Sequence, residues 1–111
     1  MEFYESMVGD ILIIKSVTHT ANIVNAQEFK KLALERIDNG QKKIIFDLSD
    51  VSLVDSTFLG ALVVVFRRIS TLNGSLKLCG ANESISTLLG LTKLDKTIES
   101  ITNIQDAINS F

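Results

Sequence analysis

The residues best placed to do chemistry are Asp55, Ser56 and Thr57. They follow the apolar run Lys42–Leu48 and a short loop, and they open the apolar stretch that begins at Phe58. At the start of a helix the backbone N–H groups lack intrahelical partners, so a side-chain oxygen there accepts hydrogen bonds from them. The same N–H groups, with the helix dipole, also accommodate a phosphate. Asp55 and Ser56 therefore read in two ways, as simple caps or as a cap beside a modifiable hydroxyl. Asp47, Asp50 and Asp55 form a second constellation, three carboxylates beyond one strand end, which suits a metal. The lone Cys79 reads as a small buried hydrophobe, because no second Cys or paired His is present to activate it. The single His19 falls in a loop, and one imidazole cannot build a multi-histidine metal site.

The acidic trio motivates a receiver-like phosphotransfer domain, phosphorylated on Asp with Mg²⁺. That chemistry calls for paired acids after the first strand and a Lys after a late strand. Gly9-Asp10 and Cys79-Gly80 stand at those places instead. No glycine-rich phosphate loop of the Gly-x-Gly-x-x-Gly or Gly-x-x-x-x-Gly-Lys type occurs. The balance of 11 Lys and Arg against 13 Asp and Glu, net -2, speaks against a nucleic-acid partner, which needs a basic surface. One cysteine excludes an internal disulfide and fits a reducing compartment. The longest apolar run, Phe58 to Phe66, is far short of the ~20 residues that span a bilayer. The start, MEFYESMVGD, lacks the basic and apolar stretches of a signal peptide, so the expected address is cytoplasmic, with no membrane partner. At 111 residues, 46% of them hydrophobic, the chain suits one domain, 1–111, with its own core.

The elements that must position Ser56 follow from periodicity. Glu2–Val8 and Asp10–Val17 read as strands joined at Gly9-Asp10, a type II′ hairpin in which Gly supplies the positive φ. Asn25 reads as a helix N-cap with Glu28 completing a capping box, and Ala26, Phe29, Leu32, Ala33 and Ile37 recur at helical spacing up to Asn39-Gly40. Lys42–Leu48 reads as a buried parallel strand, and a helix runs from Ser56 to about Leu72. Ser75–Cys79 is another strand. Asn82 caps a short helix ending at Gly90, Thr97–Ile101 is extended, and Asn103–Asn109 closes the chain as a helix. This alternation predicts an α/β fold with a mixed, mostly parallel sheet, an N-terminal β-hairpin and about four helices.

On the helix that starts at Ser56, Leu59, Leu62, Val63, Phe66, Ile69 and Ser70 share the face expected to pack on the sheet. Phe58, Ala61 and Val65 fall on an adjoining flank, with Val64 beyond it, giving more apolar surface than one sheet face needs. Either a partner protein or a neighbouring helix covers that flank.

The run Asp47-Leu-Ser-Asp-Val-Ser-Leu-Val-Asp55-Ser56-Thr57-Phe58-Leu59-Gly60-Ala61-Leu62 closely resembles the STAS domain of bacterial anti-sigma factor antagonists, whose signature is an apolar strand, Asp-Leu, then Asp-Ser-(Ser/Thr)-x-Leu-Gly. Asn22–Phe29, Leu88–Asp95 and Ile104–Ile108 resemble further stretches of that family, so the likeness covers the whole chain. The resemblance implies that Ser56 is a phosphoacceptor for an anti-sigma factor with serine kinase activity. It implies that the unmodified chain binds that factor to release sigma factor, and that a serine phosphatase resets the switch. The chain would then be a binding module with no catalytic residue and no cofactor of its own, a monomer or weak dimer. Its contact surface would comprise Asn22, Asn25, Asp55, Thr57, Phe58, Ala61, Val64 and Val65. Asn22 stands where the family usually has Asp, and Phe58 where many members have Gly. A scaffold or transport-complex STAS subunit that is never phosphorylated is the alternative within the same fold.

Overall fold

A computed structural model of the chain describes residues 3–17, 20, 21 and 23–111. His19 and Asn22, singled out above, lie outside the described residues. The chain begins with β1 (Phe3–Val8) and β2 (Ile11–Ser16), an antiparallel hairpin in which Val8 faces Ile11. Gly9 takes φ +60° in the two-residue turn while Asp10 keeps an ordinary φ, the type II′ pattern expected. Next come β3 (Thr20–Ala21), α1 (Ile23–Asp38), β4 (Lys43–Asp47), β5 (Leu53–Val54), α2 (Ser56–Thr71), β6 (Ser75–Cys79), α3 (Glu83–Leu91), a 3₁₀ turn (Leu94–Lys96), β7 (Ser100–Ile101) and α4 (Ile104–Asn109). The main sheet has five strands in the order β1-β2-β4-β6-β7, antiparallel only at β1. This is the mixed sheet the alternation predicts. Its antiparallel N-terminal hairpin departs from the all-parallel sheet that a receiver-like domain requires.

The two sheet faces carry unequal cores. Under α1 and α2 lie Leu12, Ile14, Ile44, Phe46, Leu76 and Leu78 from the strands, closed over by Phe29, Ile37, Leu62 and Ile69. Phe29 and Phe46 stack at 4.4 Å, Phe58 lies 5.5 Å from each, and Phe3 sits 6.1 Å from Phe29. The other face holds the smaller cluster Ile11, Ile13, Ile45, Cys79 and Ala107, with α4 and Phe111 against it. An aromatic group this well enclosed contributes about 1.5–3 kcal/mol per side chain through burial alone.

Three local expectations change. First, α1 starts at Ile23, so Asn25 is not its N-cap; it lies inside the first turn and is buried. The apolar spacing marks the buried stripe well but does not fix where the stripe begins. Second, Gly90 does not end α3. The helix continues through Leu91, and Lys93 takes the left-handed conformation at φ +62° before the 3₁₀ turn. Third, β3 and β5 pair in parallel as a separate two-stranded ribbon, Thr20 opposite Leu53 and Ala21 opposite Val54. Runs of two residues carry no periodicity, so the sequence does not announce them.

Candidate functional site

The site lies where the β4–α2 connection leaves the carboxyl edge of the sheet. Each carboxylate of the acidic trio has a separate structural task. Asp47 ends β4, is buried, and its Oδ1 accepts the Ser49 N–H at 2.9 Å, which turns the chain out of the sheet. Asp50 faces Lys15 at 3.5 Å, an exposed pair. Asp55 is the N-cap of α2, its Oδ1 accepting the Phe58 N–H at 2.9 Å. No group of three His, Cys, Asp or Glu able to hold a metal forms among the described residues, so the metal-cluster reading is replaced by three structural roles.

The connection is held from several sides. Leu48 N–H donates to the Cys79 carbonyl at 2.8 Å, and Val51 N–H donates to the Leu48 carbonyl at 2.9 Å, with the Val51 side chain buried. Gly80, at φ +73°, brings the β6 exit against Ser49; a Cβ there would lie 3.0 Å from Ser49 backbone atoms. Asn82 has two jobs. Its Oδ1 caps α3 by accepting the Ile85 N–H at 2.8 Å, while its Nδ2 donates to the Ser52 carbonyl at 3.0 Å. The sequence shows Asn82 only as a cap. Its second contact, across the fold to the approach to Ser56, becomes visible only in three dimensions.

Ser56 is the first residue of α2 and is exposed, as is Thr57. Since Asp55 takes the capping role, the Ser56 hydroxyl is not engaged as a cap. The first turn of α2 contains no acidic residue, and the Asp55 carboxylate at the cap meets the positive end of the dipole. The hydroxyl thus stands at the exposed surface, and the N–H groups of Ser56 and Thr57 stand at the unpaired end of the helix.

The contact surface named above divides in two. Asp55, Thr57 and Val64 are exposed, with Val64 at 43%. Phe58 and Val65 are fully enclosed, and Asn25 is buried. Those three are corrected from surface to interior: α1 covers the flank of α2, with Phe29 packed on Phe58, while Asn25 lies in the first turn of α1 itself and is buried. The buried stripe of α2 is Phe58, Leu59, Ala61, Leu62, Val65 and Ile69, while Val63 and Phe66 are half-buried and Ser70 is exposed. The helix is wedged between a sheet and a neighbouring helix, so its apolar arc is wide. Ala61, 6% exposed, forms part of a shallow groove between α1 and α2, with Ala26, Gln27, Lys30, Thr57, Gly60 and Val64. Gln27 and Lys30 are additions from the structure; on the sequence Lys30 reads as part of a solvated face.

Cys79 is buried at the end of β6, and its thiol is pushed up to about 12, first by burial and then by the neighbouring Asp47 carboxylate. A thiol held neutral in this way is not a nucleophile. Among the described residues no helix is long and apolar enough to cross a membrane.

The chain is similar to known proteins over nearly its whole length. The STAS domain profile matches residues 8–108. A Thermotoga maritima protein named as a candidate anti-sigma factor antagonist is 34% identical over 107 residues, spanning 96% of this chain and 94% of that protein. The crystal structure of a Thermotoga maritima protein bearing that description superposes with a TM-score of 0.88 at 33% identity, over 97% of this chain and 92% of the other. The phosphorylated form of the Bacillus cell fate determinant SpoIIAA shares the fold, with a TM-score of 0.77 at 16% identity over 97% of each chain. Profile, relatives and sheet topology converge: the chain belongs to the STAS domain family.

Proposed function

We propose that this chain is an anti-sigma factor antagonist, a binding module switched by phosphorylation of Ser56. The observation that carries the reading is the division of labour at the start of α2: Asp55 caps the helix, which leaves the Ser56 hydroxyl exposed and uncommitted. The 34% identical Thermotoga protein, by its name, supports the antagonist role. In the unmodified state, Ser56, Thr57, Val64 and the groove edge at Ala61 and Lys30 meet an anti-sigma factor with serine kinase activity. That enzyme supplies its own catalytic Asp, Mg²⁺ and nucleotide, as kinases do. The chain contributes the acceptor oxygen and the docking surface. A serine phosphatase reverses the modification in the cytoplasm.

The switch needs no refolding. A phosphate brings about -1.5 to -2 charges to a helix N-terminus, where the dipole and free N–H groups favour it. The same charge beside Asp55 must be desolvated whenever a partner closes over the turn, which is costly unless it is paired. A penalty of only about 2.7 kcal/mol weakens binding a hundredfold. The modification is therefore compatible with the domain and hostile to the complex.

The test is direct. The purified chain, incubated with ATP and the anti-sigma factor kinase of its own cell, is expected to gain one acid-stable phosphate that mass spectrometry places on Ser56. Calorimetry with the same kinase is expected to show tight binding by Ser56→Ala and weak binding by Ser56→Asp. Equal binding by the two variants, or unchanged phosphorylation of Ser56→Ala, overturns the reading.

A further inference from the structure

We propose that β1 is a self-association edge through which two copies of this chain pair antiparallel about a two-fold axis at Ser6, joining two sheets into one. The proposal is independent of the reading of Ser56. β1 is an outer strand of the five-stranded sheet, and among the described residues only its inner side pairs with another strand, β2. It spans six residues, of which only Phe3 is buried. Such edges invite pairing unless they are blunted by Pro, Lys, a bulge or an inward charge. β1 contains no Pro and no Lys, and its register with β2 runs without a bulge from Phe3 to Val8. Its one charged residue, Glu5, lies on the α1 face of the strand, but there its charge is matched by Arg36, which binds both carboxylate oxygens at 2.7 and 3.1 Å. Of the seven large exposed hydrophobics among the described residues, three lie on this strand: Tyr4, Met7 and Val8.

The occupant follows from the register. The two-residue turn makes Val8 and Ile11 a hydrogen-bonded pair, so Val8, Ser6 and Tyr4 direct their backbone groups to β2. Phe3, Glu5 and Met7 then direct theirs to the open edge. A two-fold antiparallel pair must match open-edge residues with one another, and an axis at Glu5 or at Ser6 keeps most of the strand paired. An axis at Glu5 sets two carboxylates directly opposite, which is destabilising. An axis at Ser6 sets Glu5 opposite the partner's Met7 and Tyr4 opposite the partner's Val8. The strand is thus complementary to itself in one register, with an apolar pair on each side of the axis and no like charges opposed. The contact is one strand edge and its flanking side chains, below the ~1,000 Å² of a stable interface, so the dimer is weak and concentration-dependent.

In that register the two Ser6 residues form a non-hydrogen-bonded pair with Cα atoms about 4.5 Å apart, within disulfide reach. Sedimentation of the full chain is expected to show the mass rise from one copy toward two with concentration. Ser6→Cys is expected to oxidise to a covalent dimer, while a control Ser86→Cys on the exposed side of α3 does not. Cys79, being buried, does not compete. Ser6→Lys sets two ammonium groups across the axis and is expected to hold the chain monomeric with its circular dichroism and melting temperature unchanged. A single-copy mass at every concentration overturns the proposal. So does cross-linking of Ser6→Cys no faster than the control, or a dimer that survives Ser6→Lys and is broken by Val64→Lys.

Discussion

Within α2, the opening turn and the flank that follows it meet different surroundings. Ser56 and Thr57 are exposed, and the only side chain committed there is the Asp55 cap. Phe58, one residue on, is completely enclosed and stacks with Phe29 and Phe46. The difference arises from the helix rotation of 100° per residue, which carries successive side chains past α1, the sheet and solvent in turn. The turn can stay exposed because the flank holds the helix in place. An apolar excess on a helix therefore does not by itself mark a docking surface; here a second helix uses it.

Substitutions that separate the two regions should differ in what they change. The largest effect is expected from Phe58→Ala, which removes the ring from the aromatic group and leaves a cavity. Urea unfolding should show a loss of about 3–5 kcal/mol, with kinase affinity falling only as far as the folded fraction falls. Ser56→Asp should do the reverse. Its unfolding midpoint should stay near that of the parent or rise slightly, since an anion suits a helix start, while binding to the kinase drops about a hundredfold, or 2.7 kcal/mol, by calorimetry. If both variants lost stability and binding in the same proportion, the separation of flank and turn would be wrong.

Asp55→Ala lies between the regions, since the cap touches the Phe58 N–H and neighbours Ser56. Loss of the cap should cost about 1 kcal/mol in thermal or chemical unfolding. Phosphorylation at Ser56 should slow as the first turn frays, which a time course with the kinase would show. Val64→Lys is expected to have the smallest effect on stability, within about 0.5 kcal/mol, because the side chain is already exposed. Its readout is the partner: affinity for the kinase should fall without any change in melting temperature.

Much of the fold was legible because it rests on long periodic segments. The hairpin turn at Gly9, the buried strand at Ile44–Phe46 and the helix opening at Ser56 all follow from local chemistry and apolar spacing. The start of α1 was not legible: a good capping residue, Asn25, sits within the helix, where burial overrules its local preference. The β3–β5 ribbon was hidden by its brevity. At the site, the position of Ser56 could be read from Asp-Ser-Thr at the junction of two apolar segments. The interior placement of Phe58 and Val65 could not, because a single helix records how much apolar surface it has but not which neighbour covers it. Lys30 and the outward contact of Asn82 lay beyond reach for the same reason, as they depend on elements distant in sequence.

Cys79 gives the chain a built-in reporter of its own opening. The lone thiol sits at the end of β6, between β4 and β7, with no exposed surface. Modifying reagents can reach it only when those strands part, so the rate of labelling at neutral pH reads the excursions of the central sheet. Alkali acts on the same atom. Because the folded thiol is held at about 12 against an ordinary 9.0, the unfolded chain loses its proton first. Stability from this residue is complete below that lower value and drains away as pH climbs toward the higher one.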